Sequence, residues 1–205
     1  MKASVATALR FEAADLGMWI FLTTETLFFG ALFFAYTIAR LKFPHAFAAA
    51  GRQTDLALGT LNTAILLTSS LFMALAVEQV NRGVRRAGVR FLEVTAALGS
   101  VFVAIKATEY WIDFSHHLVP GAGFAFDARD LPGAELFFTL YFIMTGIHAL
   151  HLLIGIGLTL VTAHRLRRAG SEAQVDRVRC VGLYWHFVDV VWVFLFPCLY
   201  LIARS

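Results

Sequence analysis

Seven ionisable side chains stand inside otherwise apolar runs: Glu25, Lys106, Glu109, His148, His151, His186 and Asp189. Carboxylates and imidazoles ligate metals, relay protons and hold buried hydrogen bonds, and in an apolar solvent each is costly enough to need a partner. His148 and His151 are spaced i and i+3, as are His186 and Asp189 and also Lys106 and Glu109, so on a helix each pair occupies one face. Facing helices that carry Glu25, His148, His151, His186 and Asp189 can supply carboxylate and imidazole ligands to a metal or a haem. The same five residues suit a hydrogen-bonded network that clips helices together, for which neutral histidine with Asp or Glu is adequate. Neither histidine pair has the Glu-x-x-His form of di-metal bundles, which favours the network. Lys106 and Glu109 most simply neutralise one another, lowering the cost of either charge in an apolar medium.

The elements that position these groups follow from composition. The chain has 205 residues, 59% of them hydrophobic and only 15% charged, with a mean hydropathy of +0.72, far from the soluble globular norm. Each crossing of a bilayer takes roughly 20 residues, so a sizeable soluble domain has no room. Apolar runs at 17–39, 56–78, 91–112, 134–162 and 181–203 predict an all-α membrane bundle of five transmembrane helices in a single domain, 1–205. The fourth run exceeds a bilayer core and must tilt or project into a loop. Residues 1–15 lack a small-residue cleavage site after the first apolar run, so a removed signal peptide is not expected.

Basic residues orient the bundle. Eleven Lys and Arg, concentrated at Arg82, Arg85, Arg86, Arg90 and from Arg165 to Arg179, fall on one side, against five on the other. Short basic loops stay in the cytoplasm, which predicts the N-terminus inside and the C-terminus outside. Depth along the spans then groups Glu25, His148, His151, His186 and Asp189 in an inner polar layer. Asn62, Lys106 and Glu109 form an outer one.

The same distribution explains the basic pI without nucleic-acid binding, because the charges flank apolar spans instead of forming one basic domain. Cys180 and Cys198 lie about 27 Å apart along the last span and cannot bridge each other. Phosphate-loop, dinucleotide and nucleophile-elbow signatures are absent. Trp19, Trp111, Trp185 and Trp192, with Tyr36, Tyr110, Tyr184 and Tyr200, are expected as lipid-facing or interfacial anchors. Pro197 removes a hydrogen bond from the carbonyl of Val193, so a distortion is expected there. His116 and His117, with Asp113, Asp127 and Asp130, read as a solvated outer loop in preference to a cation site.

Several motifs together resemble subunit III of the haem-copper respiratory oxidases. Tyr184-Trp185-His186-Phe187-Val188-Asp189-Val190-Val191-Trp192 is the most specific of them. Gly146-Ile147-His148-Ala149-Leu150-His151 resembles the family's Gly-x-His-x-x-His helix, Ala107-Thr108-Glu109-Tyr110 its Glu-Tyr motif, Gly17-Met18-Trp19 through Glu25 its first core helix, and Leu61-Asn62-Thr63 the start of the next. The resemblance implies an accessory chain with no haem, copper or catalytic centre of its own, packed against oxidase subunit I in a complex that also contains subunit II. It further implies bound phospholipid, support of proton uptake, haem and copper in the partner subunits, and a bacterial-type cytoplasmic membrane. The buried acid of the family falls on Glu25, its histidine pair on His148 and His151, and its Trp-His-x-x-Asp on His186 and Asp189. Two departures stand out. Longer members have seven spans, so lipid sites formed with the two extra helices are in question here. Lys106 replaces an uncharged Gln of many members. Three alternatives remain: an intramembrane metalloprotein built on the Glu/His/Asp cluster, a five-helix partner of nitric oxide reductase, and a small transporter.

Overall fold

A computed structural model describes residues 2–121, 123–126, 131–168 and 172–201. Among them six helices are present: α1 (Lys2–Lys42), α2 (Pro44–Gly51), α3 (Leu56–Asn81), α4 (Arg85–Ser115), α5 (Leu131–Arg168) and α6 (Glu172–Phe196), the last running into a π-helical turn at Pro197–Leu201. All but α2 are long and apolar enough to cross a bilayer. Each expected span lies on one of these five helices, although residues 202 and 203 of the last lie outside the described residues. The helices run past the apolar runs because exposed arginines continue them: α4 begins six residues before Phe91, and α5 continues to Arg168. At about 57 Å, α5 is nearly twice the thickness of a hydrocarbon core, so it projects beyond it.

Local chemistry sets the ends. Asp55 caps α3, its carboxylate accepting from the backbone N–H groups of Ala57 (2.9 Å) and Leu58 (3.1 Å). Gly83, at φ 78°, ends the same helix in the left-handed region, and the N–H of Val84 closes back on the carbonyl of Gln79 at 2.9 Å. His117, at φ 57°, does the same for α4, with Leu118 N–H on the carbonyl of Asp113 at 3.0 Å. Pro197 yields a turn of wider pitch in place of a simple bend, since the missing N–H releases the regular hydrogen-bond ladder. The short α2 begins at Pro44, where the fixed φ of proline suits a helix start.

Four helices close a ring in which α3 packs on α4, α4 on α5, α5 on α6 and α6 on α3, with α2 resting on α5. The centre of the ring holds Phe102, Trp185 and Trp192, all essentially inaccessible. Gly99 makes this possible, because a Cβ there would stand 2.7 Å from the indole of Trp185 and 3.2 Å from Ile156. By contrast, α1 lies outside the ring against α5 and α6. Only 6% of its apolar window is buried, so almost all of its surface needs cover from lipid or another chain.

Candidate functional site

The outer polar layer forms a closed network. The Lys106 ammonium donates to Glu109 Oε2 (3.0 Å), to the Tyr141 hydroxyl (2.8 Å) and to the Tyr200 hydroxyl (2.6 Å). Both tyrosines in turn donate to Glu109 Oε1, at 2.8 and 2.6 Å. All three ammonium protons and both carboxylate oxygens are thus engaged, the condition under which a buried ion pair is tolerated. Ring faces enclose the charge, with Nζ 4.4 Å from the centroid of Tyr141 and 5.2 to 5.8 Å from those of Tyr110, Tyr200 and Trp192. The network joins α4, α5 and the π-helical turn. Asn62, expected at the same level, is fully buried but does not join it, and its side-chain amide meets no partner among the described residues.

Tyr141 and Tyr200 were not legible as members of this network from span positions alone. Their signal was burial, since a phenol held inside a span must find a partner for its hydroxyl. Tyr36 behaves alike, donating to the carbonyl of Cys198 at 2.6 Å and tying α1 to the end of the last helix. Tyr36 and Tyr200 are therefore internal, correcting the expectation that they anchor at the interface.

The tryptophans divide in the same way. Trp19 and Trp111 are 60% and 73% exposed, as anchors should be. Trp185 and Trp192 are 0% and 1% exposed, which overturns their assignment to the lipid surface. Trp185 Nε1 donates to Ser69 Oγ at 3.2 Å, and Trp192 Nε1 to Thr63 Oγ1 at 3.0 Å. Trp185 reaches inward across the ring because Gly99 and Gly155 leave room on the facing helices.

The residues expected in one inner layer occupy three places. Glu25 Oε2 lies 3.2 Å from His151 Nε2, while the other ring nitrogen of His151 meets the carbonyl of Ile147 at 2.9 Å. This pair clasps α1 to α5, with Phe29 packed edge-on against the imidazole at 5.4 Å between centroids. His148 stands apart in the core between Phe102 and Trp192, and neither of its nitrogens has a hydrogen-bond partner among the described residues. His186 shares its Nδ1 with the Ser70 hydroxyl at 2.8 Å and lies 3.9 Å from Asp189 Oδ2.

This last arrangement contains a serine, a histidine and an aspartate, but both partners approach the same ring nitrogen. A nucleophilic triad requires them on opposite nitrogens, so no acyl-transfer centre is formed. Among the described residues no three His, Cys, Asp or Glu side chains are grouped so as to hold a metal ion. Asp113, expected in a solvated outer loop, instead lies in the last turn of α4 and is buried, and with His116 and Asp55 it lines a cavity of about 400 Å³. Asp127 and Asp130 lie outside the described residues.

A helical membrane bundle with internal polar clasps, large inward indoles and one loosely held helix is the architecture of a subunit, built to be covered on several faces. A family model described as "Cytochrome c oxidase subunit III" matches residues 4–204. A cytochrome c oxidase subunit 3 of Thermostichus vulcanus is 34% identical over 191 residues, covering 92% of this chain and 87% of that protein. A cytochrome bo(3) ubiquinol oxidase subunit 3 of Pseudomonas aeruginosa is 31% identical over 189 residues, covering 91% and 84%. A probable quinol oxidase subunit 3 of Staphylococcus aureus is 31% identical over 197 residues, covering 94% and 90%. The chain belongs to the cytochrome c oxidase subunit III family, and it is a multi-pass membrane subunit of an oxidoreductase complex.

Proposed function

We propose that the chain is the accessory third subunit of a proton-pumping haem-copper terminal oxidase, seated against subunit I in a complex with subunit II. It carries no redox centre of its own, stabilises subunit I, binds phospholipid and supports proton uptake during turnover. Haem and copper reside in the partner subunits. The whole chain acts as one transmembrane unit of a bacterial-type cytoplasmic membrane, with its N-terminus inside and its C-terminus outside. The observation that carries this proposal is the match to the subunit III family along residues 4–204. The bare α1 adds weight, because a helix with so little buried surface is suited to contact with a larger neighbour.

Affinity purification of the chain from its native membrane tests the proposal. The recovered complex should show a haem absorption band that disappears when the chain is separated from its partners. Stoichiometric haem or metal in the isolated chain would overturn it in favour of an intramembrane metalloprotein, and co-purification with a nitric oxide reductase would reassign the partner.

The Glu25 and His151 pair offers a second test. It is one of few polar contacts fixing α1, and hydrogen bonds between helices in a bilayer contribute about 1 kcal/mol each. In Glu25→Ala, α1 should loosen, so oxidase preparations should begin turnover at a normal rate and lose activity sooner. An immediate and complete loss of oxygen consumption in a fully assembled complex would show direct participation in the reaction instead.

A further inference from the structure

Where the start of α4 meets the end of α5, Arg85, Arg86, Arg90 and Arg167 surround a cavity of about 360 Å³ floored by Val89. The positive-inside rule accounts for arginines in such a place but not for their concave arrangement. Arg86 and Arg90 are one turn apart on the exposed face of α4 and engage no side chain among the described residues. The other two are braced as walls. Arg85 Nε donates to the carbonyl of Leu166, and Arg167 Nη2 pairs with Glu93.

That bracing leaves one feature unexplained by solvation. Arg85 Nη2 is buried and has no acceptor among the described residues, and a guanidinium N–H held away from water without a partner is costly. The residue preceding α4, Val84, provides no side-chain cap, so the positive end of the helix faces the same region without a local carboxylate to neutralise it. Glu93 is the one acidic group joined to these four arginines among the described residues, and it is already paired. The cavity therefore carries excess positive charge, planar donors and room for a headgroup-sized anion.

We infer that this cavity is a binding site for a phosphate group, either the headgroup of an anionic phospholipid or a free polyphosphate. Arginine suits this ligand because its fork donates to two phosphate oxygens at once. Arg85 also lines the cavity, so a phosphate held there would meet a third guanidinium beside those of Arg86 and Arg90. The site would hold the two helix ends together at a membrane face. This inference deepens the phospholipid binding proposed above by naming a site and a headgroup chemistry for it, and it does not depend on the assignment of an oxidase partner.

The test is native mass spectrometry of the full chain in the complex in which it purifies, titrated with phosphatidylglycerol, phosphatidylcholine or inorganic pyrophosphate. The unaltered protein should retain phosphatidylglycerol in preference to phosphatidylcholine. In Arg86→Gln/Arg90→Gln the affinity for the anionic lipid should fall about 30-fold, given the contribution expected of two basic residues near an anionic lipid surface. Both side chains are exposed, so folding should be spared. Arg86→Lys/Arg90→Lys, which keeps charge but removes the forks, should fall between the two, and Arg82→Gln, outside the cavity, should bind as the unaltered protein does. Binding of pyrophosphate that competes with the lipid and is lost in the glutamine variant would identify the free anion as a ligand; lipid binding without competition would identify the headgroup. Equal retention of both anions by the glutamine variant and the unaltered protein would overturn the inference.

Discussion

Lys106→Met should destabilise the assembled protein by about 3–5 kcal/mol, the cost expected when one partner of a buried ion pair is removed and the other is left uncompensated. Glu109 is 2% exposed and would keep only the two tyrosine hydroxyls as donors. The double variant Lys106→Met/Glu109→Gln should recover most of the loss, since an uncharged amide can still accept from Tyr141 and Tyr200. Thermal midpoints of the purified complex in one detergent would measure all three forms. If the single and double variants were equally unstable, the loss would come from packing and the electrostatic account would fail.

Trp185→Ala carries an effect of similar size through a different cause. The indole fills the ring between Gly99 and Gly155 and donates to Ser69, so truncation leaves both a cavity and a hydroxyl without its donor. Deleting a buried tryptophan costs about 3–5 kcal/mol. Trp111→Ala is the matched control, because Trp111 is 73% exposed and removing it should change stability by about 0.5 kcal/mol or less. Unfolding by a graded denaturing detergent would compare them. Equal losses in the two variants, or none in Trp185→Ala, would contradict the inward packing described above.

The five spans were readable because lipid imposes a simple rule, a run of about 20 apolar residues per crossing. The eight-residue α2 escaped that rule, although Pro44 marked a helix start. The Lys106 and Glu109 pair was legible from spacing, since both partners lie on one helix. The Glu25 and His151 contact emerged only as part of a larger group. Helical depth placed five residues at a similar level, but depth says nothing of rotation about each axis, and rotation sends His148 into the core while His186 and Asp189 join Ser70 on another face. Trp185 and Trp192 were misassigned for a related reason. Aromatic residues near span ends commonly anchor at headgroups, yet glycines on neighbouring helices decide whether an indole can turn inward. Such complementarity depends on which helices meet, and one-dimensional pattern does not contain it.

The tyrosine contributed by the π-helical turn also imposes an order on biogenesis. Tyr200 follows Lys106 by 94 positions, so the ribosome delivers the charged pair to the membrane well before its last ligand exists. During that interval Lys106 and Glu109 have only each other and, once α5 arrives, Tyr141. Until the final helix enters and Pro197 sets the turn that carries Tyr200 into place, Lys106 lacks one acceptor and Glu109 Oε1 lacks one of its two donors. Arrival of the last helix therefore completes the hydrogen bonding of a pair whose charges already balance on one helix.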